Sequence, residues 1–446
     1  MYKGLSFSLL ILLLPVSYRF FSHGLFFDGL TYASISRNLA EGVGTFFKPV
    51  YTLTLGNPSY GHLPMAFWFS SVFFKIFGDH PLLERYISVS LGVISLVLLY
   101  LWAKSISKTR WIWIGFLILS PILPWAISNY ILEVFILLWT SISLLILNHS
   151  FKGPIFPFLG GFFLFLSFMT KGPVGLFVTV YPAVYGFLHK VEIKKILKAY
   201  IFLILGFFLP LLFLLSFEDF RIYLWKFLDG QVFAGIVGKR EITPSRFYIL
   251  ARLAIEISPL IFLLILRLSF MRSVMLTNGF WLSLVLAISS SFPFVISLKQ
   301  MPFYIVPSLP FFALAFSELG GFWEIEERLE KFKYFPAIIF TLLILNLLLI
   351  FASKNRILSR NPFYIDFALN PPKIEKVHRK VGVCPDFLYS DWETVAIAQR
   401  YLKLSFVPGW MEYTVVDIKN CKIIPQNCVK IHPKNPKRFA LFFCGN

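Results

Sequence analysis

Stretches without a single charge, such as 201–217 and 334–351, recur along the chain and are separated by short clusters of Lys and Arg. At about 20 residues per bilayer crossing, the apolar runs predict about eleven transmembrane helices, at 5–21, 86–102, 111–127, 131–147, 155–169, 174–188, 200–217, 247–266, 279–298, 302–317 and 334–351. The first run has no small-x-small cleavage pattern before His23, so it reads as a retained span. The run 65–77 is too short to cross and carries Lys75, which suits a helix lying along the interface. Between 26 and 42, Leu30, Ala33, Ile35 and Leu39 mark the apolar side of another short helix, while Arg37, Asn38 and Glu41 stay polar.

The basic clusters orient the bundle. Lys104/Lys108/Arg110, Lys152, Lys190/Lys194/Lys195/Lys198, Arg267/Arg272 and Arg328/Lys331/Lys333 fall in alternate loops, which the positive-inside rule makes cytoplasmic. The first loop, about 22–85, then lies outside, and an odd number of spans puts the tail outside as well. The expected organisation is a transmembrane module over 1–351, with interfacial helices in its long first loop, followed by a soluble extracytoplasmic domain over 352–446.

Composition agrees with the pattern: 57% hydrophobic residues, 19% aromatics and a mean hydropathy of +0.73 exclude a soluble globule. The net charge of +19 suits contact with anionic membrane lipids. Its scatter over separate loops, with no basic stripe or motif, argues against a nucleic-acid partner. In the tail, 381–383, 387–389, 413–416 and 439–443 read as short strand pieces and 391–402 as a helix, so a small α/β domain is expected. All four cysteines, Cys384, Cys421, Cys428 and Cys444, fall there. In an oxidising compartment they predict one or two disulfides, with the pairing open. A zinc site is the weaker reading, because there is no CxxC pair and only His378 and His432 are near in sequence.

Several polar residues stand where apolar neighbours make them costly. Asp28 follows the first span and is either solvated, a helix cap, or used. Glu133 lies among Ile131, Leu132, Val134 and Phe135 and needs a partner or a water-facing position. Lys171, between Thr170 and Gly172, sits at a hairpin facing outward, where it can snorkel to the interface or meet a phosphate. Lys299 shares that ambiguity. Arg37 can clamp a phosphate bidentately or pair with Glu41 one turn on. The stretch 218–246 holds Lys239, Arg240 and Glu241 between glycines and a proline, which suits a mobile cationic loop.

Taken in order, "FFDGLTYASISRNLAEG", "GHLPMAFWFSSVFFKIFG" with "ERYISVSLGV", "SNYILEVFILLW", "FMTKGPVGL" and "LKQMPFYIVPSLPFFAL" resemble the signatures of the GT-C membrane glycosyltransferases of the protein O-mannosyltransferase and lipid A aminoarabinose transferase group. The resemblance covers roughly 5–316. It implies a GT-C type helical bundle that transfers a sugar from a polyprenyl-phosphate donor to a lipid, glycan or protein acceptor, on the outer face of a bacterial inner membrane. Asp28 matches the first-loop catalytic Asp and Glu133 the second acidic position; Arg37, His62, Lys171, Lys239, Arg240 and Lys299 are the candidate phosphate contacts. Departures matter. Glu84 replaces an Ala, Gly61 and His62 replace an acid and a lysine, and 218–246 has no His, so no metal or other cofactor is expected and lipid A aminoarabinose transfer in particular is not supported. The alternative is a lipid-linked sugar or polysaccharide transporter without chemistry. Such proteins favour broken helices and mid-membrane polar groups in repeated halves, whereas here the polar residues gather at outer helix ends.

Overall fold

The computed structural model describes residues 2–240, 243, 245–271, 274 and 276–445; Glu241 and Arg272 lie outside the described residues. α1 (Tyr2–Ser17) is followed by two helices of the first loop, α2 (Phe27–Ala40) and α3 (Met65–Phe77). Next come α4 (Leu83–Ile106), the short α5 (Ile112–Phe116) and α6 (Ile122–Ser128), then α7 (Leu132–Leu147), α8 (Ile155–Lys171), α9 (Tyr181–Leu188) and α10 (Ile193–Leu215). The helical part ends with α11 (Glu218–Phe227), α12 (Ala234–Val237), α13 (Tyr248–Leu268), α14 (Asn278–Ser291), α15 (Leu309–Leu319), α16 (Trp323–Lys331) and α17 (Phe335–Ser353). The tail holds β1 (Arg379–Cys384), α18 (Trp392–Leu402), β2 (Leu404–Pro408), β3 (Tyr413–Asp417), β4 (Cys428–His432) and β5 (Phe439–Cys444).

By length and composition, seven stretches among the described residues can cross a membrane, or eight if α6 and α7, bent by 99°, form one span. The expected figure was about eleven, and three local features account for the difference. The stretch Ile155–Leu188 counts as one, yet it reverses at Gly172, whose φ of +76° is a left-handed conformation that suits glycine. Gly175 lies so close behind the turn that an added Cβ would sit 2.4 Å from Ser167 Oγ, so this stretch is a hairpin. The stretch 111–127 is broken at Ser120 and Pro121 but still runs along α1, with Gly115 against Ser8. α1 itself has only 16 residues.

The described residues divide into two compact units. The first comprises Met1–Phe21 and Arg85–Lys354. Its helices pack through small and amide side chains, as membrane helices do when no hydrophobic gain separates helix from lipid. Gly161 lies against the Leu203 carbonyl and Gly206 against the Phe158 carbonyl, so α8 and α10 touch backbone to backbone. Asn346 of α17 accepts from Ser17 Oγ at 2.6 Å and donates to the Leu10 carbonyl at 2.9 Å, tying α17 to α1. Glu326 of α16 accepts from the Arg110, Trp111 and Ile112 amides that open α5, satisfying donors a helix start leaves unpaired.

The second unit comprises Ser22–Glu84 and Asn355–Asn446. The first loop, expected to belong to the membrane module, thus clusters with the tail. Its five strands form one sheet in the order β2-β1-β3-β5-β4; β1 pairs in parallel with β2 and β3, and β5 pairs antiparallel with β3 and β4. α18 starts where predicted, with the Asp391 side chain accepting from the Thr394 amide. The strand expected at 387–389 is instead a 3-10 turn, Asp386–Tyr389, entered from Pro385. Disulfides join Cys384 to Cys421 and Cys428 to Cys444; the second links directly opposed positions of β4 and β5.

Candidate functional site

In the second unit the candidate residues gather along α2. Asp28 sits half-buried in its first turn, where the helix dipole favours a negative charge. Asp28, Thr31 and Tyr32 share one helix face by spacing. Thr31 Oγ1 lies 3.4 Å from the Tyr51 hydroxyl, and Tyr32 Oη lies 3.0 Å from His62 Nε2. Asn38 fixes the opposing segment by donating to the Val50 and Tyr51 carbonyls, each at 2.9 Å. Burial pushes the Tyr51 hydroxyl above the usual tyrosine range; the hydrogen bond from Thr31 opposes this and the Asp28 charge adds to it, and the hydroxyl stays neutral. Tyr51 was not legible as a site residue in the sequence.

A metal does not fit this group. Gly61 supplies no ligand, His62 Nε2 is engaged by Tyr32, and no three His, Cys, Asp or Glu side chains converge among the described residues.

Arg37, expected as a phosphate clamp, is buried with its guanidinium engaged by protein acceptors. Its side chain is 1% exposed and its Nη1 donates to the Gln399 and Arg400 carbonyls at the end of α18, both at 3.0 Å. The expected ion pair with Glu41 is present at 4.0 Å, and Glu41 also binds Lys403 at 2.6 Å and His378 at 2.9 Å. Partial burial of Glu41 opposes its ionisation, but those two hydrogen bonds and the Arg37 charge outweigh it and hold the carboxyl at about 2. Arg400 in turn is gripped by Glu84 at 2.8 Å and Asp79 at 2.6 Å. These charges bind the first loop to the tail. Arg37→Ala should therefore lower stability by about 3 kcal/mol or more, since hydrogen bonds from a charged donor are worth about 1.5–3 kcal/mol each. Thermal unfolding of the purified variant checks this, and an unchanged midpoint together with a raised donor KM would restore the clamp.

In the first unit, the start of α7 and the end of α8 bring Glu133 and Lys171 together as an ion pair, at 2% and 9% side-chain exposure. Among the described residues, Glu133 Oε2 has no hydrogen-bond partner. The Lys171 ammonium lies 4.0 Å from the centroid of the Tyr304 ring and 5.5 Å from that of Phe303, a cation–π cradle that holds it without neutralising it. Glu133, expected as a second catalytic acid, is thus the buried partner of an expected phosphate ligand. Tyr304 was missed, although it stands in the quoted "LKQMPFYIVP" stretch.

The described part of the stretch carrying Lys239 and Arg240 makes backbone hydrogen bonds to the segment before Lys299. The Leu298 amide donates to the Gly235 carbonyl at 2.9 Å and the Thr243 amide to the Leu298 carbonyl at 3.0 Å. Gln300, also missed, accepts from the Ile249 amide and donates to the Phe294, Ser297 and Arg246 carbonyls. Lys299 is thereby placed beside Gly235, an ideal Cβ there lying 3.9 Å from Lys299 Cβ. Lys239 is exposed, and Arg240 donates to Gln231. Just past Lys171, an apolar groove of about 440 Å³ runs between the turn after α8 and the end of α14, lined by Pro173, Val174, Phe177, Ile288 and Phe292.

No family model and no curated protein sequence matches the chain. Among solved structures it is similar to the lipid A aminoarabinose transferase ArnT from Cupriavidus metallidurans bound to undecaprenyl phosphate, with a TM-score of 0.61 and 14% identity over 98% of this chain and 97% of that one. The apo state of ArnT from Cupriavidus metallidurans gives the same TM-score and identity, covering 98% and 96%. Likeness at this identity is a likeness of fold, and by it the chain has the mostly helical GT-C fold; its apolar helices are the features that suit a membrane.

Proposed function

We propose that this protein is a membrane glycosyltransferase that moves a sugar from a polyprenyl-phosphate donor to an envelope lipid, glycan or protein on the outer face of a bacterial inner membrane. The observation that carries the reading is the cradled Lys171 in a fold whose similar structure was solved with undecaprenyl phosphate. A polyprenyl phosphate has a long apolar chain and an anionic head; the groove that begins beside Lys171 suits the first, and the lysine suits the second.

Because Glu133 already balances Lys171, a phosphate needs further positive charge, and Lys299, Lys239 and Arg240 are the residues proposed to supply it. Glu133 acts as a positioning residue that fixes Lys171. His62 is proposed to donate a ring N–H to a phosphate oxygen, with Tyr32 setting its ring. Asp28 is the proposed catalytic carboxylate. For a hydroxyl acceptor it takes the proton as the acceptor oxygen bonds to the anomeric carbon and the carbon–oxygen bond to phosphate breaks, releasing polyprenyl phosphate. For a phosphate acceptor, already anionic, it orients the nucleophile or stabilises positive charge on the sugar.

The test is mass spectrometry of envelope lipids, glycans and proteins from cells with and without the protein. One class should lose a single sugar and accumulate its unglycosylated form, while the lipid-linked donor builds up. Identical profiles under conditions in which the protein is expressed would contradict the proposal.

A further inference from the structure

The sheet of the second unit ends in a lobe whose chemistry the transfer reaction does not use. From 418 to 438 the chain carries Lys419, Lys422, Lys430, Lys434, Lys437 and Arg438 and no acidic residue. Asp417, just before it, is buried and pairs with Arg438 at 2.7 Å, so the five lysines remain as net charge. All five are exposed. Interleaved with them are apolar side chains turned to the surface: Ile423 is 78% exposed and Val429 65%, with Ile418, Ile424 and Ile431 also exposed. The patch continues across the sheet, because Val429 of β4 pairs with Phe443 of β5, whose ring meets Tyr413 at 5.4 Å. The disulfides Cys384–Cys421 and Cys428–Cys444 anchor both ends of the 422–427 segment, so its isoleucines are held out by a braced frame.

We propose that this lobe is a membrane-contact surface that inserts Ile423, Ile424 and Val429 among the head groups of anionic lipids while the lysines meet their charge. Cations alternating with bulky apolar residues are what a charged lipid surface rewards, through buried apolar area and counter-charge together. A second copy of the same lobe is disfavoured, since like charges would face each other. The chain connects this unit to the apolar helices covalently at 21–22, 84–85 and 354–355. A weak surface contact then acts at high effective concentration.

Hydrogen–deuterium exchange of the full-length protein in nanodiscs reads the contact directly. In phosphatidylcholine discs containing phosphatidylglycerol, amides of 422–427 should exchange about tenfold more slowly than in pure phosphatidylcholine discs, and 0.5 M salt should remove much of the difference. A Lys419→Gln, Lys422→Gln, Lys430→Gln variant should lose the protection while its α18 and β5 amides exchange as in wild type. Equal exchange in both lipid compositions would overturn the proposal. So would protection in detergent that rises with protein concentration, which would assign the surface to a second copy.

Discussion

Asp28→Asn should insert, fold and bind lipid-linked donor as wild type does, yet transfer sugar roughly 10² to 10⁴ times more slowly, the worth of a positioned general base or charge-stabilising carboxylate. The structure narrows what else the substitution could do. Asp28 is not the N-cap of α2, a position held by Phe26, and its charge is favoured at a helix start. That preference is worth about 0.3–1 kcal/mol, and Asn keeps the shape. Donor binding and transfer must be measured separately, because only the second should fall. A variant that transfers within a fewfold of wild type would remove Asp28 from the chemistry.

Lys171→Ala should do two things. It strips the partner from a buried carboxylate, Glu133, and so should destabilise the protein by about 3–5 kcal/mol. It also removes a phosphate contact. The double variant Glu133→Gln, Lys171→Met separates the effects: with no charge left buried, its unfolding midpoint should return close to wild type. Its kcat/KM for the donor should still be down roughly ten- to a hundredfold, the worth of one charge-assisted contact of about 1.5–3 kcal/mol. Recovery of both stability and turnover in the double variant would leave Lys171 a purely structural residue.

The membrane helices were legible because their runs carry no charge, and the reversal at Lys171 was legible because Gly172 and Pro173 punctuate it. The break at Ser120 and Pro121 carried the same kind of signal but did not disturb the overall apolar run. What stayed hidden was partnership across the sequence. Glu133 and Lys171 were each identified, but nothing local shows that residues 38 apart will pair. Arg37 has an acid four residues on, the spacing of a helical ion pair, yet its hydrogen-bond acceptors, besides its neighbour Asn38, lie 362 and 363 positions away. The strand β2, five residues ending in Pro408, is too short for period-two alternation to declare itself. Asp28 stands out in the sequence as a candidate for a different reason: an acid next to an apolar span is costly, and the surrounding stretch resembles a known signature.

The central claim, that this protein breaks a sugar–phosphate bond, is tested most directly in proteoliposomes of purified protein supplied with a panel of polyprenyl-phosphate hexoses and pentoses, each labelled in the sugar. Free polyprenyl phosphate should appear with one of them, together with labelled product or, without acceptor, slow release of the sugar, and Asp28→Asn should abolish both. Intact lipid-linked sugar that changes leaflet without cleavage would contradict the account and make the protein a transporter.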